Sequence, residues 1–183
     1  MSIRHLDRLL SPRSVAVVGA SDRAGSVGAA VGRNLRAGRF AGPVFAVNSA
    51  RATIDGEPVF ACIADLPEPP DLAIVCTPPD TVASILAELG GRGTRAAIVM
   101  TAGLGAARRQ AALDAARPHL LRVLGPNCLG LLSPHLGLNA SFAHTDALPG
   151  DMAFVSQSGA LVTAALDWAR TRRVRWCARP AAG

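Results

Sequence analysis

A doubly wound parallel α/β sheet is the fold class predicted, and three observations predict it. Short runs rich in β-branched residues recur along the chain, and amphipathic helical stretches separate them. The runs start about 24–30 residues apart, the length of one strand plus its crossover helix. VAVVG, LAIVC and AAIVM are apolar without alternation, as expected of strands covered on both faces.

In order, the candidate strands are Ser14–Val18, Val44–Val47, Leu72–Cys76, Ala96–Met100 and Leu120–Leu124. Between the first two, Val27, Ala30, Val31 and Leu35 share one helical face, and Gly38 is placed to end that helix. Val82, Ile85, Leu86 and Leu89 mark a second helix, with Asp80 near its start and Gly90-Gly91 at its stop. Ala106–Arg117 forms a third, with an apolar face that is nearly all Ala, closed by Pro118. Right-handed crossovers then give a Rossmann-like domain over residues 1–148. After Pro149-Gly150, a strand at Met152–Val155 and a helix at Gly159–Arg170 read as the start of an incomplete second α/β domain, residues 149–171. Residues 172–183 read as an Arg-rich aberrant tail, and no later element is expected to cover the new strand. Its free edge predicts mobility or homodimerisation.

Composition narrows the function. All 19 basic residues of the 183 are Arg, so a Walker-type phosphate loop, a Schiff-base lysine and a lysine general base are excluded. Of the net charge of +6, four Arg without an acid lie in the tail; the rest sets 15 Arg against 13 acids, and no nucleic-acid partner is expected. Five Phe, two Trp and no Tyr leave little for base stacking. Cys62, Cys76, Cys128 and Cys177 form no CxxC pair, which argues against a metal site or a disulfide framework. With no signal-like start and no run of 18 apolar residues, the chain is expected to be cytoplasmic and off the membrane.

In this architecture ligands bind at the carboxyl ends of the strands. The first strand runs into Gly19-Ala20-Ser21-Asp22-Arg23-Ala24-Gly25-Ser26-Val27-Gly28. Its glycines allow a tight turn, close ligand approach and close helix packing, and the helix end near Ser26 offers N–H groups to a phosphate. Asn48 follows the second strand where an NAD site would carry an acid, and Arg51 suits a ribose phosphate as found in CoA or NADP. Thr77-Pro78-Pro79 makes a rigid turn after the third strand. Thr101-Ala102-Gly103 and Gly125-Pro126-Asn127-Cys128 bring small residues to the same edge. Ser156, Gln157, Ser158 and Gly159 form a helix N-terminus suited to an anion. That segment does not fit the Gly-x-Ser-x-Gly nucleophile turn, and no catalytic residue is assigned.

Taken in order, GASDRAGSVG, the CTPP turn, MTAG, LGPNCLG and FVSQSGAL resemble the CoA-binding domain of NDP-forming acyl-CoA synthetases over residues 8–171. That group includes ADP-forming acetate–CoA ligases, the succinyl-CoA ligase α subunit, and protein lysine acetyltransferases fused to the same domain. The resemblance implies coenzyme A as ligand, with Ser21, Ser26, Val27, Arg51, Pro78, Thr101, Asn127 and Cys128 in contact and the Cys near the thiol. It also implies an ATP-grasp subunit or domain as partner. Gly19, Gly25, Gly28, Asn48 and Thr77 complete the expected CoA set.

Two departures stand out. Ser49 replaces the proline that usually follows Val-Asn in the family, and the similarity stops near Thr171, short of the second domain. His5, His119, His135 and His144 match no phosphorylation motif. The chain alone is therefore expected to bind CoA without turnover, as the N-terminal fragment of a ligase or acetyltransferase. The alternatives are an NADP-binding oxidoreductase and a CoA-responsive regulator without catalysis. The oxidoreductase is disfavoured because neither Tyr nor Lys is present to serve a carbonyl.

Overall fold

A computed structural model describes residues 3–176 of the chain. The elements run α1 (Leu6–Leu10), β1 (Val15–Val18), α2 (Val27–Gly38), β2 (Val44–Val47), β3 (Thr53–Ile54), β4 (Glu57–Pro58) and β5 (Leu72–Val75). Then come α3 (Val82–Arg92), β6 (Ala96–Val99), α4 (Ala106–Ala116), β7 (Arg122–Leu124), β8 (Gly130–Ser133), β9 (Leu138–Ser141), β10 (Leu148–Met152), α5 (Gly159–Thr171) and β11 (Arg175–Trp176). The central sheet has the order β2-β1-β5-β6-β7, and every pairing in it is parallel. The predicted strands are found to within a residue or two at each end.

Burial on both faces explains the absence of alternation. Val18, Val75 and Val99 face Leu86 and Leu89 of α3 and Ala112 and Ala116 of α4. Val17, Ile74 and Ile98 face Val31 and Leu35 of α2 and Leu138 and Ala140 of β9. The second face is thus covered by α2, by Leu6 and Leu9 of the short α1, and by an antiparallel β8–β9 hairpin that the sequence reading did not foresee. Asn34 of α2 ties the hairpin down, its Nδ2 donating to the carbonyls of Ser141 (2.9 Å) and Ala143 (2.8 Å). At the opposite end of the sheet, the Asp71 carboxylate accepts from Arg8 (2.6 Å) and from the Arg13 amide (3.0 Å) and side chain (3.3 Å). Burial pushes this carboxyl up, but the Arg13 amide and the Arg8 and Arg13 guanidinium groups outweigh it and hold it below its ordinary value.

Several expected boundaries move, each for a steric reason. Gly38 is the last residue of α2 and Arg39 takes the left-handed cap (φ 61°); a Cβ on Gly38 would meet the Gly137 carbonyl. Gly90 and Gly91 lie inside α3, which ends at Gly93 (φ 108°), and the missing Cβ of Gly90 makes room for the His119 ring. Leu120 is left-handed (φ 53°) after a short 3-10 turn, so β7 begins at Arg122.

The largest correction concerns the segment after residue 147. The strand is Leu148–Met152 rather than Met152–Val155, and it includes Pro149 and Gly150. Its edge is also taken: β11 pairs with it in parallel, overturning the expectation that nothing follows to cover it. The Val174 amide donates to Ala169 (2.8 Å), and Trp176 is buried with its ring 5.5 Å from that of Phe154. Part of the expected tail is therefore structured; its remainder, including Cys177, lies outside the described residues. No helix among the described residues is long and apolar enough to cross a membrane.

Candidate functional site

The β1 turn is built by contacts that only small residues permit. Gly19 (φ 87°) and Ala20 both donate their amides to Val47 (3.0 and 3.2 Å), drawing the turn towards β2. A Cβ on Gly28 would run into the Gly19 carbonyl, so the first turn of α2 sits directly on the β1 turn. Ser26 caps α2: its hydroxyl accepts from the Ala29 amide (3.2 Å) and donates to the Arg23 carbonyl (2.8 Å). The open first turn of this 12-residue helix then faces the loop with N–H groups and the positive end of its dipole.

Neighbouring turns are locked to one another. Asn48 donates to the Ala20 carbonyl (2.7 Å) and accepts from the Ala50 amide (2.8 Å). Thr101 donates to the Thr77 carbonyl (2.8 Å), and the Asn127 amide donates back to Thr101 (3.1 Å). Asn127 is left-handed (φ 55°).

Together they line a cleft of about 1080 Å³ along the carboxyl ends of the strands. It is bordered by Gly19, Ser21, Gly25, Ser26, Val27, Gly28, Asn48, Thr77, Pro78, Thr101 and Asn127, which the sequence had singled out. Arg51 and Cys128 stand outside that lining. Arg51 lies 3.7 Å from Asp22, with both side chains partly exposed. The Cys128 thiol points towards the Val99 carbonyl (3.5 Å), and burial pushes its pKa up. Ser156, Gln157, Ser158 and Gly159 also lie outside the cleft. Ser156 and Ser158 accept from the amides of Ser158 (3.0 Å) and Leu161 (3.3 Å). A Cβ on Gly159 would touch Leu129, next to Cys128 in the chain.

Sequence reasoning missed four groups of lining residues, including Ala61, Cys62 and Ile63. Thr81, Ser84, Ile85 and Glu88 form one face of α3 at i, i+3, i+4 and i+7 spacing. The signal was there, but only the apolar positions of the helix had been read. Arg23 sits within the glycine-rich loop, and Phe142 follows the unforeseen hairpin. Cys62 is exposed in the cleft wall beside a 3-10 turn at Ile63–Asp65. Cys76 is buried deeply enough that its pKa is pushed up to about 12, with a small further rise from Cys128. No group of three or more His, Cys, Asp or Glu among the described residues could hold a metal.

Comparison with known proteins agrees with this geometry. The family described as "CoA binding domain" matches residues 13–134. The acetate–CoA ligase [ADP-forming] I of Archaeoglobus fulgidus is 35% identical over 92% of this chain and 25% of its own length. The 4-hydroxybutyrate–CoA ligase [ADP-forming] of Nitrosopumilus maritimus is 35% identical, over 93% and 25%. A solved acetyl-coenzyme A synthetase from Ca. Korarchaeum cryptofilum superposes with a TM-score of 0.88 at 33% identity, covering 93% of this chain and 38% of that one. The chain thus spans roughly a quarter to two fifths of these relatives. With two thirds of its length matched, the chain belongs to the CoA binding domain family.

Proposed function

We propose that the chain binds CoA in the cleft and supplies that site to an acid–thiol ligase. The observation that carries this reading is the continuity of the cleft from the α2 N-terminus across three successive strand-end turns to Asn127. The diphosphate takes the first turn of α2, where Gly19 and Gly28 leave room for backbone amides and Ser26 holds the helix start. Pantetheine runs over Thr77, Pro78 and Thr101 to Asn127, so its thiol ends near the Asn127–Cys128 turn, although the Cys128 Sγ is itself turned to the Val99 carbonyl. The adenosine end lies on the β2 side, against Asn48 and the Ser84–Glu88 face of α3.

Arg51 meets the ribose 3′-phosphate by exchanging its 3.7 Å contact with Asp22 for a phosphate oxygen. Isothermal titration tests the assignment with CoA, dephospho-CoA, NADP and NAD. CoA should bind tightest, and dephospho-CoA should lose about 1.5–3 kcal/mol, as for a charge-assisted hydrogen bond. Arg51→Ala should erase that difference. Tighter binding of NADP than of CoA would overturn the assignment.

The partner is further ligase polypeptide of the ATP-grasp type. Leu148, Met152, Phe154, Val155, Leu161 and Trp168 are exposed on and around β10 and α5, beside the proposed anion turn at Ser156–Gly159. Further polypeptide is favoured over a second copy because the relatives are far longer, and one from Pyrococcus furiosus is itself a "subunit alpha". Sedimentation of the chain alone should give a monomer; concentration-dependent dimers lost on Trp168→Glu would favour the second copy. The free Cys62, Cys76 and Cys128 suit a reducing compartment and hence the cytoplasm.

A further inference from the structure

Phe142 is an aromatic side chain whose placement the fold alone does not explain. It lies on the cleft wall with 39% of its surface exposed, and it belongs to neither of the two apolar clusters that cover the sheet. Its immediate neighbours Ser141 and Ala143 are buried. Its backbone is held firmly: the Asn34 side chain bonds the carbonyls on either side, and the Phe142 amide donates to Leu129 (3.2 Å). A half-exposed ring on a clamped backbone contributes little to the core and leaves apolar surface facing the cleft.

Its position tells what that surface meets. Phe142 shares the cleft with Thr101 and Asn127, at the end away from β2. Through Leu129 the same corner adjoins Gly159, the first residue of α5. If CoA lies as proposed above, this is where its sulfur ends and where an acyl group carried on that sulfur begins. Of the other lining residues there, Thr101, Ala102 and Asn127 are small or polar and Met100 is buried to 4% exposure, so Phe142 is the large exposed apolar surface available to an acyl chain.

The geometry points to Phe142 as the wall that packs against the acyl group of an acyl-CoA thioester, making it a specificity-determining residue. This inference rests on the CoA assignment, and the experiment separates the two. Binding of CoA, acetyl-CoA, butyryl-CoA and adenosine 3′,5′-bisphosphate is measured by titration on the wild-type chain, Phe142→Ala and Phe142→Leu. Adenosine 3′,5′-bisphosphate serves as the ligand too short to reach the wall.

Phe142→Ala should lower the ratio of butyryl-CoA to CoA affinity by about tenfold, the scale of one lost apolar packing surface. Acetyl-CoA should change less than butyryl-CoA, and Phe142→Leu should recover most of the ratio. An unchanged ratio, or equal losses for CoA and butyryl-CoA, would overturn the acyl-wall assignment while leaving CoA binding in place. Loss of adenosine 3′,5′-bisphosphate binding together with the others marks a misfolded Ala variant; Phe142→Val, apolar but short, then decides, a lowered ratio in a normally melting Val variant supporting the wall and a wild-type ratio overturning it. Wild-type chain that binds none of the four ligands sinks both readings together.

Discussion

Adding a single methyl group at Gly28 provides the sharpest test of how the β1 turn and α2 fit together. The Cβ of Gly28→Ala would fall well inside van der Waals contact with the Gly19 carbonyl, a backbone group that cannot rotate away. Relief to a favourable contact near 3.5–4 Å requires the turn and the helix to part by about 1.5–2 Å. Overpacking of this kind costs about 1–3 kcal/mol, and the better helix propensity of Ala returns up to about 1 kcal/mol. A net loss of about 1–2 kcal/mol lowers the melting temperature by about 2–8 °C in a chain of this size. The same displacement moves Gly19 and Ser21 away from the helix N-terminus. Losing one charge-assisted hydrogen bond to phosphate there weakens CoA binding by about tenfold or more. One turn further on, Gly32→Ala is the control: its Cβ would meet only the end of Arg36, at 3.7 Å. It should stabilise α2 by about 0.5–1 kcal/mol and leave CoA binding alone. Thermal melting and titration of both variants decide the matter. A Gly28→Ala chain that melts and binds like the wild type would refute the close approach on which the site is built.

Three further outcomes follow from the thiols, the Asp71 cluster and the proposed division of labour. Among the described cysteines Cys62 should alkylate fastest and Cys76 slowest, and Cys76 labelling should keep rising with pH towards about 12 because burial disfavours its thiolate. Peptide mapping should also show CoA shielding Cys128; equal labelling with and without saturating CoA would remove that contact. The Asp71 carboxyl titrates below its ordinary value in the folded chain, so its contribution is present above the unfolded value and is lost as pH falls through the folded one. Asp71→Asn should therefore cost about 1–3 kcal/mol at neutral pH and flatten acid unfolding below about pH 4, which urea titrations at pH 3 and pH 7 would read. Purified chain given an acid, ATP and CoA should make no thioester; acyl-CoA detected by mass spectrometry, and lost with substitution of one of the four histidines, would contradict this.

The central sheet was legible because β1, β5 and β6 are buried on both faces, which writes short unbroken apolar runs into the sequence. The glycine-rich turn was legible because positive φ at Gly19 and Gly25 and close approach at Gly28 exclude larger residues. The β8–β9 hairpin was not: its Gly-Leu-Leu-Ser run carries no alternation, its Leu-Asn-Ala-Ser run alternates over only four residues, and their place on the sheet depends on a helix more than 100 residues earlier. Phe142 went unread with it. The two-residue β11 was hidden because Arg172, Arg173 and Arg175 dominate its neighbourhood, and only pairing with β10 defines it. Arg51 was legible as a cation, but its association with Asp22 joins the β2 loop to the β1 turn, a long-range contact that no local pattern encodes.

Asn34 and Ser26 sit on the same helix, and that shared support acts as a ruler. Ser26 fixes the start of α2 at the proposed diphosphate turn, while Asn34, eight residues on, grips the chain on both sides of Phe142. At 1.5 Å per residue, the two anchor points are about 12 Å apart along one rigid rod. The proposed diphosphate turn and the proposed acyl wall are therefore gauged against each other by α2 rather than by the loops that line the cleft between them. A drift of this helix would carry the proposed phosphate cradle and the aromatic wall together, keeping the span between them constant. A ligand whose span from diphosphate to acyl group were wrong would meet the turn or the wall, not both.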